Sequence, residues 1–121
     1  SFIRYLGSRP HDELPARYAS ADACVFASSC ETLGIILLEN MASGLPIACS
    51  DRGPMPELLG DAAVYFNPEL QSSIEEALER LLNSPELRYS LAGKAYQLSQ
   101  KYTWDKCADQ TFDFLSQCIR S

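Results

Sequence analysis

Short apolar runs alternate along this chain with segments in which apolar residues recur every three or four positions. The runs at 2–6, 23–27, 46–49 and 63–66 stop at Gly7, Ser28-Ser29, Ser50-Asp51 and Asn67-Pro68, and their nearly continuous apolar character predicts strands. Between them, 12–21 carries Leu14, Tyr18 and Ala21 at helical spacing, 34–43 carries Ile35, Leu38, Met41 and Ala42, and a shorter helix spans 55–59. Strand and helix in alternation imply crossover connections and a parallel sheet covered on both faces. The predicted class is α/β, a Rossmann-like parallel sheet with helices on both faces, followed by C-terminal helices.

After Pro68 the pattern is helical only. Ser72 with Glu75 reads as a capping box, Ser84-Pro85 as an N-cap with a first-turn proline, and Thr103 as the cap of a last helix opening at Trp104. Leu87, Leu91, Ala95 and Leu98 form one apolar stripe, and Trp104, Ala108, Phe112 and Leu115 another, each predicted to pack. No repeat, low-complexity stretch or linker interrupts the chain, so 1–121 reads as a single domain. Four strands are few for a doubly wound sheet, and the expectation is the later part of a larger domain whose remainder lies upstream.

Composition narrows the classes. The 121 residues are 46% hydrophobic and 21% charged, as in a soluble globular domain. No run approaches the ~20 apolar residues of a membrane span and the first residues lack a signal-peptide layout, which predicts a cytoplasmic setting. A net charge of −6 argues against nonspecific nucleic-acid binding, which needs a basic surface. Five cysteines, an odd number with no C-x-x-C pair, read as reduced structural thiols, at least three in apolar stretches. The lone His11 reads as a solvated loop residue, and no D-x-D pair is present to hold a metal on a diphosphate.

In an open α/β sheet ligands bind beyond the carboxyl ends of the strands, which directs attention to the loops 7–12, 28–33 and 50–56. The second is the richest. Glu31 and Glu39 bracket Thr32-Leu33-Gly34-Ile35 where a polar loop turns into an apolar helix. A glycine at a helix start admits a ligand close to backbone N–H groups, and those groups with the helix dipole favour an anion such as a diphosphate. Eight residues of helix rise ~12 Å, so the two carboxylates can hold hydroxyls at opposite ends of an elongated phosphate-centred ligand, the shape of a nucleotide sugar. Alternatives stand beside each residue. Ser28 or Ser29 caps a turn, Glu31 is an ordinary first-turn acid, and Glu39, with Ile35, Ile36, Ala42 and Ser43 as helical neighbours, is either paired with protein or reserved for a ligand. Ser50 to Glu57 is either a ligand-facing loop or a turn set by Gly53-Pro54.

Glu31-Thr32-Leu33-Gly34-Ile35 through Glu39-Asn40-Met41-Ala42-Ser43-Gly44-Leu45-Pro46-Ile47 resembles the E-x-x-G-x-x-x-x-E-x-M-A-x-G-x-P-V stretch of retaining glycosyltransferases, family 4 and relatives, of the GT-B fold. The flanks agree. Phe2 to Gly7 is similar to the strand ending in glycine before the family's "eLp-y-sAD" helix, whose end matches Ser20-Ala21-Asp22. Gly53-Pro54-Met55-Pro56-Glu57 with Gly60-Asp61-Ala62-Ala63 resembles the "G-x-x-E…GdAa" segment, and Tyr102-Thr103-Trp104 the "fsW" start of the last helix. Ala27, Leu33 and Asn40 depart from the family's common proline, phenylalanine and alanine without removing a functional group.

The resemblance implies the later part of a GT-B C-terminal, nucleotide-sugar-binding domain. Its reaction would be retaining transfer of a hexosyl unit from a UDP- or GDP-hexose to an acceptor hydroxyl, with no metal and no other cofactor. It implies that Glu31 meets the donor sugar near the reacting centre as the catalytic residue in a positioning and electrostatic role. Thr32, Leu33, Gly34 and Ile35 would bind the donor, and Glu39 its ribose. The diphosphate-neutralising arginine and lysine of the family and its acceptor-binding N-terminal domain are absent from this sequence, so the polypeptide by itself is expected to be inactive. The acceptor, a glycan, lipid or small molecule, would be met through that other domain, and peripheral membrane contact of a full-length protein stays open. Two other readings remain at this point: a glycogen- or starch-synthase-like GT-B enzyme, and a non-catalytic doubly wound module that binds a nucleotide or a protein.

Overall fold

A computed structural model describes residues 2–120. Three strands, β1 (Cys24–Phe26), β2 (Ile47–Ser50) and β3 (Ala63–Phe66), pair in parallel in the order β1-β2-β3. Their register sets Phe26 beside Cys49 and Ser50 beside Phe66, so the three carboxyl ends open at one edge of the sheet. The helices are α1 (Leu14–Ala19), entered through a 3-10 turn at His11–Glu13, α2 (Ile35–Ala42), α3 (Met55–Leu59), α4 (Gln71–Asn83), α5 (Pro85–Ser99) and α6 (Trp104–Arg120).

Alternation along the strands splits the core in two. Ile47 and Cys49 point to one face, where Leu37 and Met41 of α2, Met55, Leu58 and Leu59 of α3 and Ala95 of α5 bury them. Ala48, Val64 and Phe66 point to the other, against Ala77 and Leu81 of α4 and Leu91 of α5. All four residues of β2 are buried, as befits the central strand of a sheet covered on both sides. At β1 the second cover ends, and Val25 is 49% exposed.

Residues 2–6 correct the predicted fourth strand. They adopt no strand, and Phe2 and Tyr5 are 100% and 93% exposed. An apolar run becomes a strand only where a neighbour takes up its N–H and C=O groups, and among the described residues β1 pairs only with β2. The sequence pattern carries the propensity for a strand and not the neighbouring strand it would pair with.

The C-terminal helices divide likewise. Ser84 caps α5 as expected, its hydroxyl accepting the Leu87 N–H at 3.2 Å, and Leu91 and Ala95 of the predicted stripe are buried. Ser84→Ala is expected to lower stability by about 1 kcal/mol, read as a shift of the urea midpoint at constant slope. The Ser72–Glu75 capping box does not form. Helix α4 begins two residues earlier, with Leu70 at the N-cap and Gln71 as its first residue, and the Gln71 side-chain amide donates to Glu75 at 2.7 Å and takes the glutamate away from any cap. Thr103 does cap α6, accepting the Lys106 N–H at 3.2 Å. The α6 stripe, however, is not buried. Trp104 and Phe112 are 82% and 70% exposed, because amphipathic spacing specifies a face for burial without supplying its cover.

No helix among the described residues is long and apolar enough to cross a membrane. Of the five cysteines only Cys49 is buried and Cys24 partly so, while Cys30, Cys107 and Cys118 are exposed. Burial pushes the Cys24 thiol up to about 11 and the Cys49 thiol, with help from the neighbouring Cys24 and Asp51, up to about 12. Both remain protonated at neutral pH and act as small apolar side chains.

Candidate functional site

The chain leaves the carboxyl end of β1 at Phe26 and reaches α2 through a loop that ends at Gly34. This glycine sits at the N-cap with φ 76° and ψ 58°, left-handed values that an L side chain adopts at a cost. It turns the chain so that α2 starts against the sheet edge. The Gly34 carbonyl accepts the N–H groups of Leu37 at 2.9 Å and Leu38 at 3.3 Å, while the amides of the helix's first residues lie ahead of any intrahelical acceptor.

A cleft of about 260 Å³ opens at this point, lined by Phe26, Glu31, Thr32, Leu33, Gly34, Ile35 and Ile36. Five of the six residues singled out in the sequence therefore share one concavity. The exposed Leu33, Ile35 and Ile36 give it apolar walls, and the half-buried Glu31 is its single ionisable lining residue. Ser28 makes a local turn, its hydroxyl donating to the Cys30 carbonyl at 3.2 Å.

The loop after β2 supports the loop after β1. Gly53, at φ 55°, lies so that an added Cβ would stand 3.7 Å from the carbonyl oxygen and 3.9 Å from the nitrogen of Glu31. The backbone that carries Glu31 is thus seated on Gly53. Beside it, the Ser50 hydroxyl accepts the Arg52 N–H at 3.1 Å, and the Asp51 N–H donates to the Phe66 carbonyl at 2.9 Å. Arg52, which the sequence leaves without a partner, contacts Asp51 at 3.4 Å and donates to the Asn67 side chain at 3.2 Å. Loops from all three strands are therefore tied together around the cleft.

Glu39 follows Ile35 by four positions and Ile36 by three, so it extends the cleft-facing side of α2 by one turn, but it is not part of the cleft lining. Its side chain retains 24% exposure, since Ile35 and Ile36 beside it face outward. It is paired with protein. The Tyr18 hydroxyl of α1 donates to Oε2 at 2.8 Å, and His11 Nε2 lies 3.3 Å from Oε1. His11 is exposed, as expected of a loop residue, yet it has this partner. Burial, then the hydrogen bond to Glu39 and its charge, push the Tyr18 hydroxyl up to about 12, so it stays a proton donor across the physiological range. Nothing in the sequence announces this pair, because a tyrosine at a semi-apolar helix position reads as packing. Asn40 next to it is buried, and its amide donates to the Ile36 carbonyl at 2.7 Å.

A model of the family Glycosyl transferases group 1 matches residues 2–98. The chain belongs to this family. Among similar members is the O-antigen chain mannosyltransferase B of Escherichia coli, 31% identical over 112 residues that cover 93% of this chain and 29% of that protein. Group 1 glycosyltransferases of this kind are thus some three times longer than the piece described here. Among solved structures, sucrose-phosphate synthase from Thermosynechococcus elongatus superposes with a TM-score of 0.85 at 23% identity, covering 97% of this chain and 30% of that one. An Anabaena protein crystallised in complex with UDP does so with a TM-score of 0.76 at 21% identity, covering 87% and 30%. These likenesses establish the fold, a Rossmann-like α/β unit of GT-B type, with three described strands where the sequence predicts four.

Proposed function

We propose that this chain is the later, donor-binding part of the C-terminal domain of a retaining glycosyltransferase that moves a hexosyl unit from a nucleotide sugar, such as a UDP- or GDP-hexose, to an acceptor hydroxyl. The observation that carries the proposal is the meeting of Glu31, Thr32, Leu33, Gly34 and Ile35 in one cleft at the carboxyl end of β1, with Glu39 one turn further along α2. That edge is where open α/β sheets receive ligands. A structural neighbour of the same fold was crystallised with UDP, which fits a donor of this class.

The roles follow from chemistry. Amides at the start of α2, approached closely because Gly34 has no side chain, bind the diphosphate through hydrogen bonds and the helix dipole. Leu33 and Ile35 shield that contact from water. The Glu31 carboxylate orients the donor hexose and stabilises the positive charge that grows on it as the nucleoside diphosphate departs. Glu39 accepts hydrogen bonds from ribose hydroxyls. No resident metal takes part in this scheme. The negative charge on the leaving diphosphate is instead met by basic residues of the remainder of the protein, as is the acceptor, whether glycan, lipid or small molecule. Such donors are cytosolic, and the proposed site of action is the cytoplasm.

Glu39→Ala in the full-length enzyme tests the reading. Loss of a charged hydrogen-bond acceptor for two hydroxyls is expected to weaken donor binding roughly 10- to 100-fold, measured by calorimetry with the nucleotide sugar and as donor KM. Donor affinity and transfer both at wild-type values would refute the ribose contact.

A further inference from the structure

We propose that Tyr18 is a positioning residue for the donor: its hydroxyl, reaching from α1 across to α2, fixes the Glu39 carboxylate in the orientation that receives the ribose hydroxyls. The inference rests on the ribose role given to Glu39 above and adds the device that makes that role specific.

Helix α1 contains no fully buried residue, and only Leu14, Arg17 and Tyr18 are half-buried, so a side-chain tie to α2 adds to a modest packing contact. Its one described side-chain hydrogen bond to another helix is that of Tyr18 to Glu39, spanning 21 positions at 2.8 Å. A glutamate on a helix with exposed isoleucines at its neighbouring positions samples several rotamers, and only some of them face a ligand that follows the helix. Tyr18 selects among them. Its hydroxyl holds Oε2, and His11 flanks Oε1 at 3.3 Å, so both oxygens are located from the α1 side. An ionised carboxylate offers about four lone-pair sites, and two contacts leave the others available. A ribose presents two adjacent hydroxyl donors, a geometry that a carboxylate of fixed plane meets and a freely rotating one meets only part of the time.

The chemistry of the pair suits a permanent clamp. With its proton held by burial and by the carboxylate it serves, Tyr18 donates to Glu39 at all physiological pH values and does not compete with it for ribose protons. A lysine at this position would neutralise the carboxylate, and a serine would not span the gap.

Tyr18→Phe in the full-length enzyme separates positioning from a structural tie, since the ring and its packing remain. The donor KM is expected to rise about 3- to 10-fold, the value of one hydrogen bond, with kcat within twofold of wild type. The same comparison is then made with a donor analogue whose ribose lacks its hydroxyls. There the wild type and Tyr18→Phe bind equally, because nothing is left for the oriented carboxylate to grip. A variant that loses affinity for natural and deoxy donors alike would show a merely structural tie and overturn the proposal, as would an unchanged KM for the natural donor. Glu39→Ala run in parallel tells the two failures apart. If it weakens donor binding while Tyr18→Phe does not, the positioning role alone falls; if it leaves binding unchanged, the ribose contact falls and this inference with it.

Discussion

Glu31→Gln in the full-length enzyme is expected to lower kcat/KM for glycosyl transfer about 10²- to 10³-fold, the range found when one preorganised electrostatic contact to a transition state is removed. The substitution keeps the shape of the side chain and deletes its charge. Glu31 is half-buried in the cleft beyond β1, and no other ionisable side chain lines that concavity, so no neighbouring carboxylate substitutes for it. Its backbone rests against Gly53, which limits how far the main chain shifts to compensate. The loss falls on kcat, since charge separation as the diphosphate leaves is a feature of the transition state and not of the bound donor. Initial rates across donor concentration, with a thermal melt to show that the fold is intact, provide the measurement. Glu57→Gln serves as a control: this exposed acid stands in the first turn of α3 outside the cleft and leaves the rate unchanged. A Glu31→Gln enzyme within threefold of wild type would remove the electrostatic role.

What the sequence discloses and what it hides follow from which interactions are local. β2, β3 and α3 are legible almost to the residue because their signals lie within them: four-residue apolar runs closed by Ser-Asp or Asn-Pro, and a Gly-Pro turn that opens a short helix. The start of α2 is legible for the same reason, as Gly34 is the residue that a left-handed N-cap favours. Residues 2–6 and the stripe of α6 fail for a shared cause. Each has the periodicity of a buried element, yet burial depends on a second surface that periodicity does not encode, and Phe2, Tyr5, Trp104 and Phe112 are exposed.

The candidate site shows the same division at finer scale. Glu31 to Ile35 are contiguous, so finding them as a cluster in the sequence amounts to finding one loop, and the cleft collects them. Glu39 is the informative case. Its apolar neighbours on paper imply a desolvated carboxylate in need of donors. In three dimensions Ile35 and Ile36 point outward, Glu39 keeps part of its exposure, and its partners are a donating tyrosine and a neighbouring histidine more than twenty positions away. Contacts of that sequence separation are invisible to helical spacing. The support of Glu31 by Gly53 belongs to the same class: the loop 50–56 is visible as a candidate, but its function as a seat for the neighbouring loop emerges only from the parallel register that aligns the ends of β1 and β2.

Phe66→Ala carries the largest expected loss of stability, about 3–5 kcal/mol, because it empties the largest fully enclosed position of the second core. Phe66 ends β3 with 2% exposure and packs with Ala48, Val64, Ala77, Leu81 and Leu91, a group drawn from two strands and two helices. None of these neighbours is large enough to fill the space of a phenyl ring without moving a strand or a helix. The cost is therefore the full transfer term together with the cavity left behind. Against a total stability of about 5–15 kcal/mol for an ordinary domain, such a loss brings unfolding close to ambient temperature. The position also bears on the site, since the Phe66 carbonyl accepts the Asp51 N–H at 2.9 Å and so anchors the loop that carries Gly53 beneath Glu31. Loosening the end of β3 is expected to mobilise that loop, seen as faster amide hydrogen exchange at Asp51 than at Ile47 in the folded variant. Urea titration measures the main effect, with Leu82→Ala, at a 60% exposed position of α4, as a control that changes stability by no more than about 0.5 kcal/mol. A Phe66→Ala protein within about 1 kcal/mol of wild type at an unchanged slope would show that α4 and β3 close over the gap, and that the second core is not held by this side chain.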